Sequence, residues 1–296
     1  MGSARALVLG SAAGGGFPQW NCRCATCALA WAGDPRARWR TQSSVAVTGD
    51  GDRFVLLNAS PDIGRQIRIP EFAPATARGS PIAAVVLTNG DVDHVAGLLT
   101  LRERHAFAIF ALPPVHALLS QNPIFGVLDP ERVRRVAVAP GERFAAAGLD
   151  LELFPVPGKA PLYAEGEAPA IGGETGETAG IFVHGAGLAY VPGCAALTPA
   201  LLDRLHGARA ILFDGTLFED DEMIRAGLGE KTGRRMGHVP IAGPGGSLEA
   251  LAPLPGRKIY VHLNNTNPIL IEGSPERLRV EAAGFEVAHD GLEIAL

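Results

Sequence analysis

The segment that most constrains the fold is a continuous apolar run, Ile82–Thr88, that leads directly into the polar stretch Asn89–His94. A run of this length and composition is typical of a β-strand buried on both faces. Such strands occur in sheets that are covered on both sides. Sheets of this kind bind ligands just beyond the carboxyl ends of their strands. The sequence therefore predicts a covered sheet with a functional site where this strand ends.

The polar stretch contains four side chains that could bind a metal ion. Asn89, Asp91 and Asp93 supply oxygen donors, and His94 supplies an imidazole. This donor set suits Fe(II), Mn(II) or Mg(II) better than thiolate-preferring metals. The alternative is a solvated turn in which Asp93 caps a helix. Burying four polar groups without a ligand is costly, which favours the metal site.

Later segments repeat the pattern of a strand followed by polar residues. His262 ends the predicted strand Lys258–Leu263 and precedes the run Asn264–Asn267. Asp214 ends another apolar strand, and His238 stands before a glycine-rich turn. We expect these side chains to join the same site.

Three of the four cysteines, Cys22, Cys24 and Cys27, fall within six residues. Crowded cysteines in an intracellular chain are more often metal ligands than disulfides. Thiolate-rich sites suit Zn²⁺, usually in a structural role. We therefore predict a zinc-binding loop at about residues 14–30, with a fourth ligand from elsewhere. Three unrelated buried thiols are the alternative.

Composition narrows the class of protein. A net charge of −5 argues against nucleic-acid binding through phosphate neutralisation. No stretch approaches the ~20 apolar residues of a membrane-spanning helix. The first residues do not have the pattern of a signal peptide, so a cytoplasmic protein without membrane insertion is predicted.

The order of predicted elements points to a mixed α/β (α+β) architecture. Hairpins dominate both ends of the chain and helices punctuate its middle, which suggests two mixed sheets packed face to face with helices outside. Residues 285–288 and 292–295 are predicted to close the chain as a hairpin. The glycine- and proline-rich segment 155–178 is predicted to be either a functional loop or a disordered one.

These segments carry a resemblance to a known family. The run Asn89–His94 resembles the HxHxDH signature of the metallo-β-lactamase superfamily, with Asn89 and Asp91 in place of the first two histidines. Further segments make the whole chain similar to the PqqB family, which acts in the biosynthesis of pyrroloquinoline quinone (PQQ): Phe17–Cys24, Ser60–Asp62, Tyr190–Cys194, Phe213–Thr216, Met236–His238 and Val261–Pro268. The resemblance implies one αβ/βα sandwich domain over residues 1–296.

The resemblance also assigns roles to residues. Asp93, His94 and His262 match superfamily metal ligands, whereas Lys159 and Cys194 stand where a histidine and a bridging aspartate are usual. What survives is one metal position with two histidines and a carboxylate, the donor set of Fe²⁺ oxygenases. Asp91 and Asn89 are further candidate ligands. A related phosphodiesterase closes its cysteine zinc loop with a histidine, where this chain has Asn265; His238, an aspartate or water are substitutes.

The implied reaction is hydroxylation of the tyrosine-derived ring of a crosslinked Glu–Tyr precursor of PQQ. Lys159, His238, Asp214 and Asn265 are the predicted substrate-binding residues. One alternative is a carrier that helps to move PQQ or its precursor to the periplasm, and another is a metal-dependent hydrolase. Whether the chain forms a homodimer stays open.

Overall fold

Two β-sheets organise the computed structural model, which describes residues 4–167 and 169–296. The strands are β1 (Arg5–Gly10), β2 (Ser44–Thr48), β3 (Phe54–Leu57), β4 (Ile82–Val86), β5 (Phe107–Ala111), β6 (Val133–Ala137), β7 (Arg143–Ala146), β8 (Leu149–Pro155), β9 (Ala179–His184), β10 (Leu188–Val191), β11 (Ala210–Asp214), β12 (Arg257–Val261), β13 (Phe285–Val287) and β14 (Glu293–Ala295). One sheet has the order β14-β1-β2-β3-β4-β5-β6, and the other has the order β13-β12-β11-β10-β9-β8-β7.

Each sheet is mixed in the same way. The pairs from β14 to β3 are antiparallel and those from β3 to β6 are parallel. In the second sheet the pairs from β13 to β10 are parallel and those from β10 to β7 are antiparallel. Because parallel strands end at the same edge of a sheet, each sheet presents one edge where the residues that follow its parallel strands come together.

Short helices cover the outer faces of the sheets. They are α1 (Ala25–Trp31), α2 (Ile63–Gln66), α3 (Val92–Val95), α4 (Pro113–Gln121), α5 (Pro199–His206), α6 (Glu222–Arg225), α7 (Gly233–Met236), α8 (Ser247–Leu251) and α9 (Pro275–Ala282), with 3-10 turns at Pro70–Phe72, Ala96–Arg102, Pro123–Val127, Leu162–Ala164 and Pro268–Leu270. None of the helices in the described ranges is long and apolar enough to cross a membrane.

Alternation along the strands builds three apolar layers. In β4, Ala84 and Val86 point into the core between the two sheets, whereas Val85 packs against the helices outside. Leu151 and Ile181 of the second sheet complete the inner layer. The two-residue period of a strand places successive side chains on opposite faces, so a strand covered on both sides must be apolar throughout. This confirms the strand prediction for the run that begins at Ile82, and the predicted α/β sandwich.

The predicted C-terminal hairpin is wrong. Strand β13 pairs with β12, and β14 pairs with β1 of the other sheet. The chain crosses between the sheets at Asp290, whose carboxylate accepts hydrogen bonds from the backbone N–H groups of Ser11 (3.0 Å) and Thr41 (2.7 Å). The hairpin prediction rested on two strands that are close in sequence. Which sheet a strand joins depends instead on the strands that pack and pair with it in the folded protein.

Candidate active site

The strand ends of both sheets meet around one cavity of about 400 Å³. Asn89, Asp91 and Asp93 come from the segment after β4, and His262 directly follows β12. His238 follows α7 and borders the same space. The two halves of the chain therefore contribute to one site, as the polar strand ends predicted.

Asp93, His94 and His262 form the centre of this site. Their ligand atoms all lie within 4.8 Å of one another. Oδ2 of Asp93 is 3.0 Å from Nε2 of His262 and 3.8 Å from Nε2 of His94. Nε2 of His94 is buried and has no hydrogen-bond partner among the described residues. Buried polar atoms in proteins are almost always partnered, so this nitrogen is the kind of atom that binds a ligand.

Asn89 fixes the orientation of His94. Its Oδ1 lies 2.6 Å from Nδ1 of His94 and accepts a hydrogen bond from the backbone N–H of Asp91 at 3.1 Å. Its Nδ2 donates to Oδ2 of Asp91 at 2.9 Å. Because Oδ1 only accepts, Nδ1 of His94 must carry the proton, which leaves the Nε2 lone pair free for a metal ion.

Thr216 fixes the orientation of His262. Its hydroxyl donates to Oδ1 of Asp214 at 2.6 Å and lies 2.8 Å from Nδ1 of His262. The hydroxyl proton is thus used, so Nδ1 of His262 donates to the oxygen and Nε2 faces Asp93. His262 has a φ of 58°, in the left-handed region. A non-glycine residue there costs about 1–3 kcal/mol and is typical of functional sites.

Charge and burial set the ionisation of these groups. Burial alone would raise the pKa of Asp93, but His94 and His262 lower it overall, so Asp93 is ionised. Burial lowers the pKa of His94 to about 4, so that this imidazole is neutral at pH 7. A neutral imidazole and an ionised carboxylate are the forms that bind a metal ion.

The role of Asn89 gives a first prediction. Replacing Asn89 by alanine removes the acceptor for Nδ1 of His94, so the imidazole can take the wrong tautomer. We expect a loss of about 10–100-fold in metal affinity, the usual effect of removing an outer hydrogen-bond partner. Competition with a fluorescent chelator measures it. The Asn89→Asp variant keeps an acceptor and should retain most of the affinity; equal affinities for wild type and Asn89→Ala would contradict this role.

The other predicted residues divide into two groups. Asp91, Lys159 and His238 line the cavity. Asp214, predicted to bind substrate, is fully buried, and its Oδ2 accepts from Nδ1 of His238 (2.8 Å) and from the backbone N–H of Cys194 (2.9 Å). Asp214 therefore positions His238, and the ligand atoms of Asp214, His238 and His262 also lie within 4.8 Å of one another. The predicted role of Asp214 in substrate binding stays a prediction. Asp91 lies beside the Asp93 cluster and outside its ligand set, and Oδ1 of Asn89 is engaged with Nδ1 of His94.

The cysteine prediction is matched by a second cluster. The sulphurs of Cys22, Cys24 and Cys27 lie within 4.8 Å of one another. Asn265 covers them: its Nδ2 is 3.1 Å from the sulphur of Cys22 and 3.4 Å from that of Cys27. Asn265 is therefore a neighbour of the thiols, and its predicted role in substrate binding stays a prediction. His238 stacks on His262, so it belongs to the active-site cluster and not to the cysteines.

Glu222 is a functional candidate that was not among the predicted site residues. Its buried carboxylate accepts hydrogen bonds from the hydroxyl of Thr266 and from the backbone N–H of Phe218. The same hydroxyl accepts from Nδ2 of Asn264, which lines the cavity. Glu222 thus anchors the segment that follows His262. In the sequence Glu222 is the last of four consecutive acidic residues, Glu219–Glu222, and such a run is indistinguishable from a solvated surface turn.

Burial raises the pKa of Glu222 from 4.5 to about 7. Between these two pKa values the folded protein keeps a proton on Glu222 that the unfolded chain has released. The free energy of unfolding therefore falls as the pH rises from about 4.5 through 7. Between pH 5 and pH 8, the free energy of unfolding should fall by about 2 kcal/mol less in Glu222→Gln than in wild type. Urea unfolding at both pH values measures this. The exposed Glu249→Gln variant should behave like wild type; an unchanged slope in Glu222→Gln would show that Glu222 is ionised throughout.

Comparisons with known proteins identify the family to which this chain belongs. A family model described as the beta-lactamase superfamily domain matches residues 53–263. The chain is 56% identical to coenzyme PQQ synthesis protein B of Methylorubrum extorquens over 296 residues, which is 98% of this chain and 99% of the relative. It is 54% identical to the protein of the same name from Rhizobium meliloti over 297 residues, which is 99% of this chain and 98% of the relative.

Solved structures show the same relationship. The crystal structure of Zn²⁺-bound PqqB from Methylobacterium extorquens superposes with a TM-score of 0.96 at 55% identity, covering 99% of this chain and 100% of that chain. A diphosphatase from the PhnP family superposes with a TM-score of 0.70 at 22% identity, covering 99% of this chain and 98% of that chain, and shares the fold. The chain therefore belongs to the coenzyme PQQ synthesis protein B family within the β-lactamase superfamily.

Proposed function

We propose that this chain acts in PQQ biosynthesis as an iron-dependent oxygenase that hydroxylates the tyrosine-derived ring of a crosslinked Glu–Tyr precursor. Family membership supports the pathway, because the relatives are named for PQQ synthesis. The donor set at the carboxyl ends of the strands supports the reaction class. The pathway thus rests on the relatives, and the reaction class rests on three residues of this chain.

The observation that carries the reaction class is the cluster of Asp93, His94 and His262. Two imidazoles and one carboxylate are the protein ligands of many non-haem Fe(II) oxygenases. The fit is good because Nε2 of His94 is buried and unpartnered among the described residues and Nδ1 of both histidines is held by another group. When bound, iron supplies open coordination positions at which O₂ and substrate can react.

The chain's own residues would prepare the substrate. Oδ2 of Asp214 accepts the Nδ1 proton of His238, so Nε2 of His238 is available to accept a proton from a phenol hydroxyl. Lys159 borders the same cavity and offers a positive charge to a substrate carboxylate. Leu162, Met223 and Met236 supply apolar wall for an aromatic ring. Nε2 of His262 and Oδ2 of Asp93, which lie 3.0 Å apart, would both hold the metal when Nε2 carries no proton.

We further propose that the cysteine cluster binds a structural Zn²⁺. Three converging sulphurs match zinc chemistry, and the PqqB of Methylobacterium extorquens crystallised in a Zn²⁺-bound form. Burial raises the pKa of Cys27 to about 12, so a cation is needed for this thiol to ionise near neutral pH. The four cysteines are all free, which is consistent with the reducing cytoplasm as the compartment.

The test is turnover with defined components. Protein reconstituted anaerobically with Fe(II) receives the crosslinked Glu–Tyr precursor and then O₂. We expect oxygen uptake and a product heavier by the added oxygen. Metal bound at the site without either would overturn the oxygenase proposal. Precursor binding that is unaffected by His94→Ala and His262→Ala would favour the carrier, and turnover that continues without O₂ would favour the hydrolase.

A further inference from the structure

We infer that Lys159, Lys231 and Arg235 form a carboxylate-binding site at the mouth of the cavity, and that Glu165 occupies this site until a carboxylate of the substrate displaces it. The inference deepens the proposed function, on which it rests for the identity of the substrate. It assigns a specificity role to residues outside the candidate metal centre.

One carboxylate faces three cations in this part of the structure. Oε1 of Glu165 is 2.7 Å from Nζ of Lys159. Oε2 of Glu165 is 3.2 Å from Nη2 of Arg235 and 3.7 Å from Nζ of Lys231. The side chain of Glu165 is only 6% exposed, so these contacts are largely shielded from solvent. Burial alone would raise its pKa, but Lys159 and Arg235 lower it to about 2.

The charges in this cluster do not balance. Three positive groups surround one negative group, which leaves an excess of two positive charges within this group of four residues at the edge of the cavity. The carboxylates of Asp91 and Asp93 also line the cavity; Asp93 belongs to the candidate metal centre, and Asp91 lies beside it and accepts a hydrogen bond from Nδ2 of Asn89. An excess of this kind is unfavourable for a purely structural ion pair and favourable for binding an anion. The arrangement is therefore complementary to a ligand with more than one carboxylate.

Glu165 is held in a way that permits exchange. It follows the 3-10 turn Leu162–Ala164, within the long connection between β8 and β9. Leu162 is 66% exposed although it also lines the cavity, so this turn forms its outer wall. The hydroxyl of Tyr163 donates to the carbonyl oxygen of Gly90 at 2.8 Å and ties the turn to the segment after β4. If a substrate carboxylate displaced Glu165, the turn that carries Glu165 would be released from the cations, and the cations would stay in place.

The three cations come from elements with separate anchors. Arg235 lies in α7, whose N-cap is the side chain of Thr232. Lys159 precedes the turn, and its Nζ also donates to the carbonyl oxygen of Ala160 at 3.0 Å. Arg235 can pair with a carboxylate through two N–H groups, whereas a lysine offers a point charge. A carboxylate in the place of Glu165 would therefore meet the same preformed donors.

The experiment measures binding of benzene-1,3,5-tricarboxylate by calorimetry, with benzene-1,3,5-tricarboxamide as its neutral counterpart. The isosteric Glu165→Gln variant removes the internal competitor. We expect it to bind the tricarboxylate at least about tenfold more tightly than wild type, with no gain for the tricarboxamide. Glu167→Gln is the control: it changes the net charge by the same amount in the same connection between β8 and β9. Its affinity for the tricarboxylate should match that of wild type.

Removing a cation should have the opposite effect. In the Glu165→Gln background, Arg235→Gln should weaken binding of the tricarboxylate by at least about tenfold. Arg234→Gln is the matched control, because Arg234 donates instead to the carbonyl oxygens of Pro244 and Gly245. Unchanged affinity in Glu165→Gln, or equal losses in the two arginine variants, would overturn the inference. If Arg235→Gln fails to fold, Lys231→Gln in the same background replaces it, with a weaker loss expected.

This test is independent of turnover. It needs neither iron nor O₂, so a chain that hydroxylates the precursor but shows no response to Glu165→Gln would refute the carboxylate site alone. A chain that binds the tricarboxylate as expected but fails the oxygen-uptake experiment would refute the oxygenase proposal alone.

Discussion

Replacing Asp93 by asparagine should lower the proposed hydroxylation by about 10³-fold or more, which corresponds to a loss of about 4 kcal/mol of transition-state stabilisation. The substitution keeps the shape of the side chain and removes its negative charge. Oδ2 of Asp93 faces Nε2 of both His94 and His262, so the carboxylate provides the only negative charge in the ligand cluster. Initial rates with iron-reconstituted protein measure the effect, together with the iron content.

Two matched variants decide whether the effect belongs to the metal position. Asp203 is exposed on α5, and Asp203→Asn should have wild-type activity. Asp91→Asn is the informative comparison, because the sequence predicted Asp91 as a ligand and the structure places it beside the cluster. We expect Asp91→Asn to retain iron and to lose about tenfold or less in rate, through a weakened contact with Asn89. Equal loss of iron in both variants would show that both carboxylates bind it.

Replacing Cys27 by serine should remove the bound zinc and lower the free energy of unfolding by about 3 kcal/mol. Cys27 is fully buried, and its sulphur lies with those of Cys22 and Cys24. Structural zinc contributes directly to folding, because the unfolded chain does not present a formed site. For a chain of this size, a loss of that order lowers the melting temperature by about 5 °C. Zinc content and thermal unfolding are the measurements.

Cys194→Ser is the matched control for this prediction. Cys194 is also fully buried, but its thiol donates to the carbonyl oxygen of Ala196 and lies outside the described metal clusters. We expect this variant to keep its zinc and to lose about 1 kcal/mol of stability or less. If the two variants lost the same stability and both kept their zinc, the cysteine cluster would be ordinary buried packing.

Local patterns predicted the fold, and they pointed to residues that the structure brings together at one cavity, because both depend on short segments. A strand buried on both faces must be apolar throughout, so the run beginning at Ile82 could be identified without its neighbours. Polar residues directly after such a strand, from Asn89 to His94, likewise mark the edge where ligands bind. The ends of β4 and β12 therefore pointed to one site although they are far apart in the chain.

Roles that depend on tertiary packing could not be predicted in this way. Asp214 and Asn265 occur in polar runs like those of the ligands, but only the fold shows that one holds His238 and the other covers the cysteines. Glu165 and Arg235 carry no motif, and their pairing joins residues 70 positions apart. The strand after Phe285 was assigned to a hairpin because sequence distance does not reveal which sheet a strand will join.

We propose two chemically different sites that hold two different metals, and one diffraction experiment can locate both. It records anomalous scattering from crystals of the iron-reconstituted protein on both sides of the iron and zinc absorption edges. We expect an iron peak enclosed by Asp93, His94 and His262, and a zinc peak among the sulphurs of Cys22, Cys24 and Cys27. Iron located away from the first cluster, or no zinc among the sulphurs of fully loaded protein, would contradict the two-metal assignment.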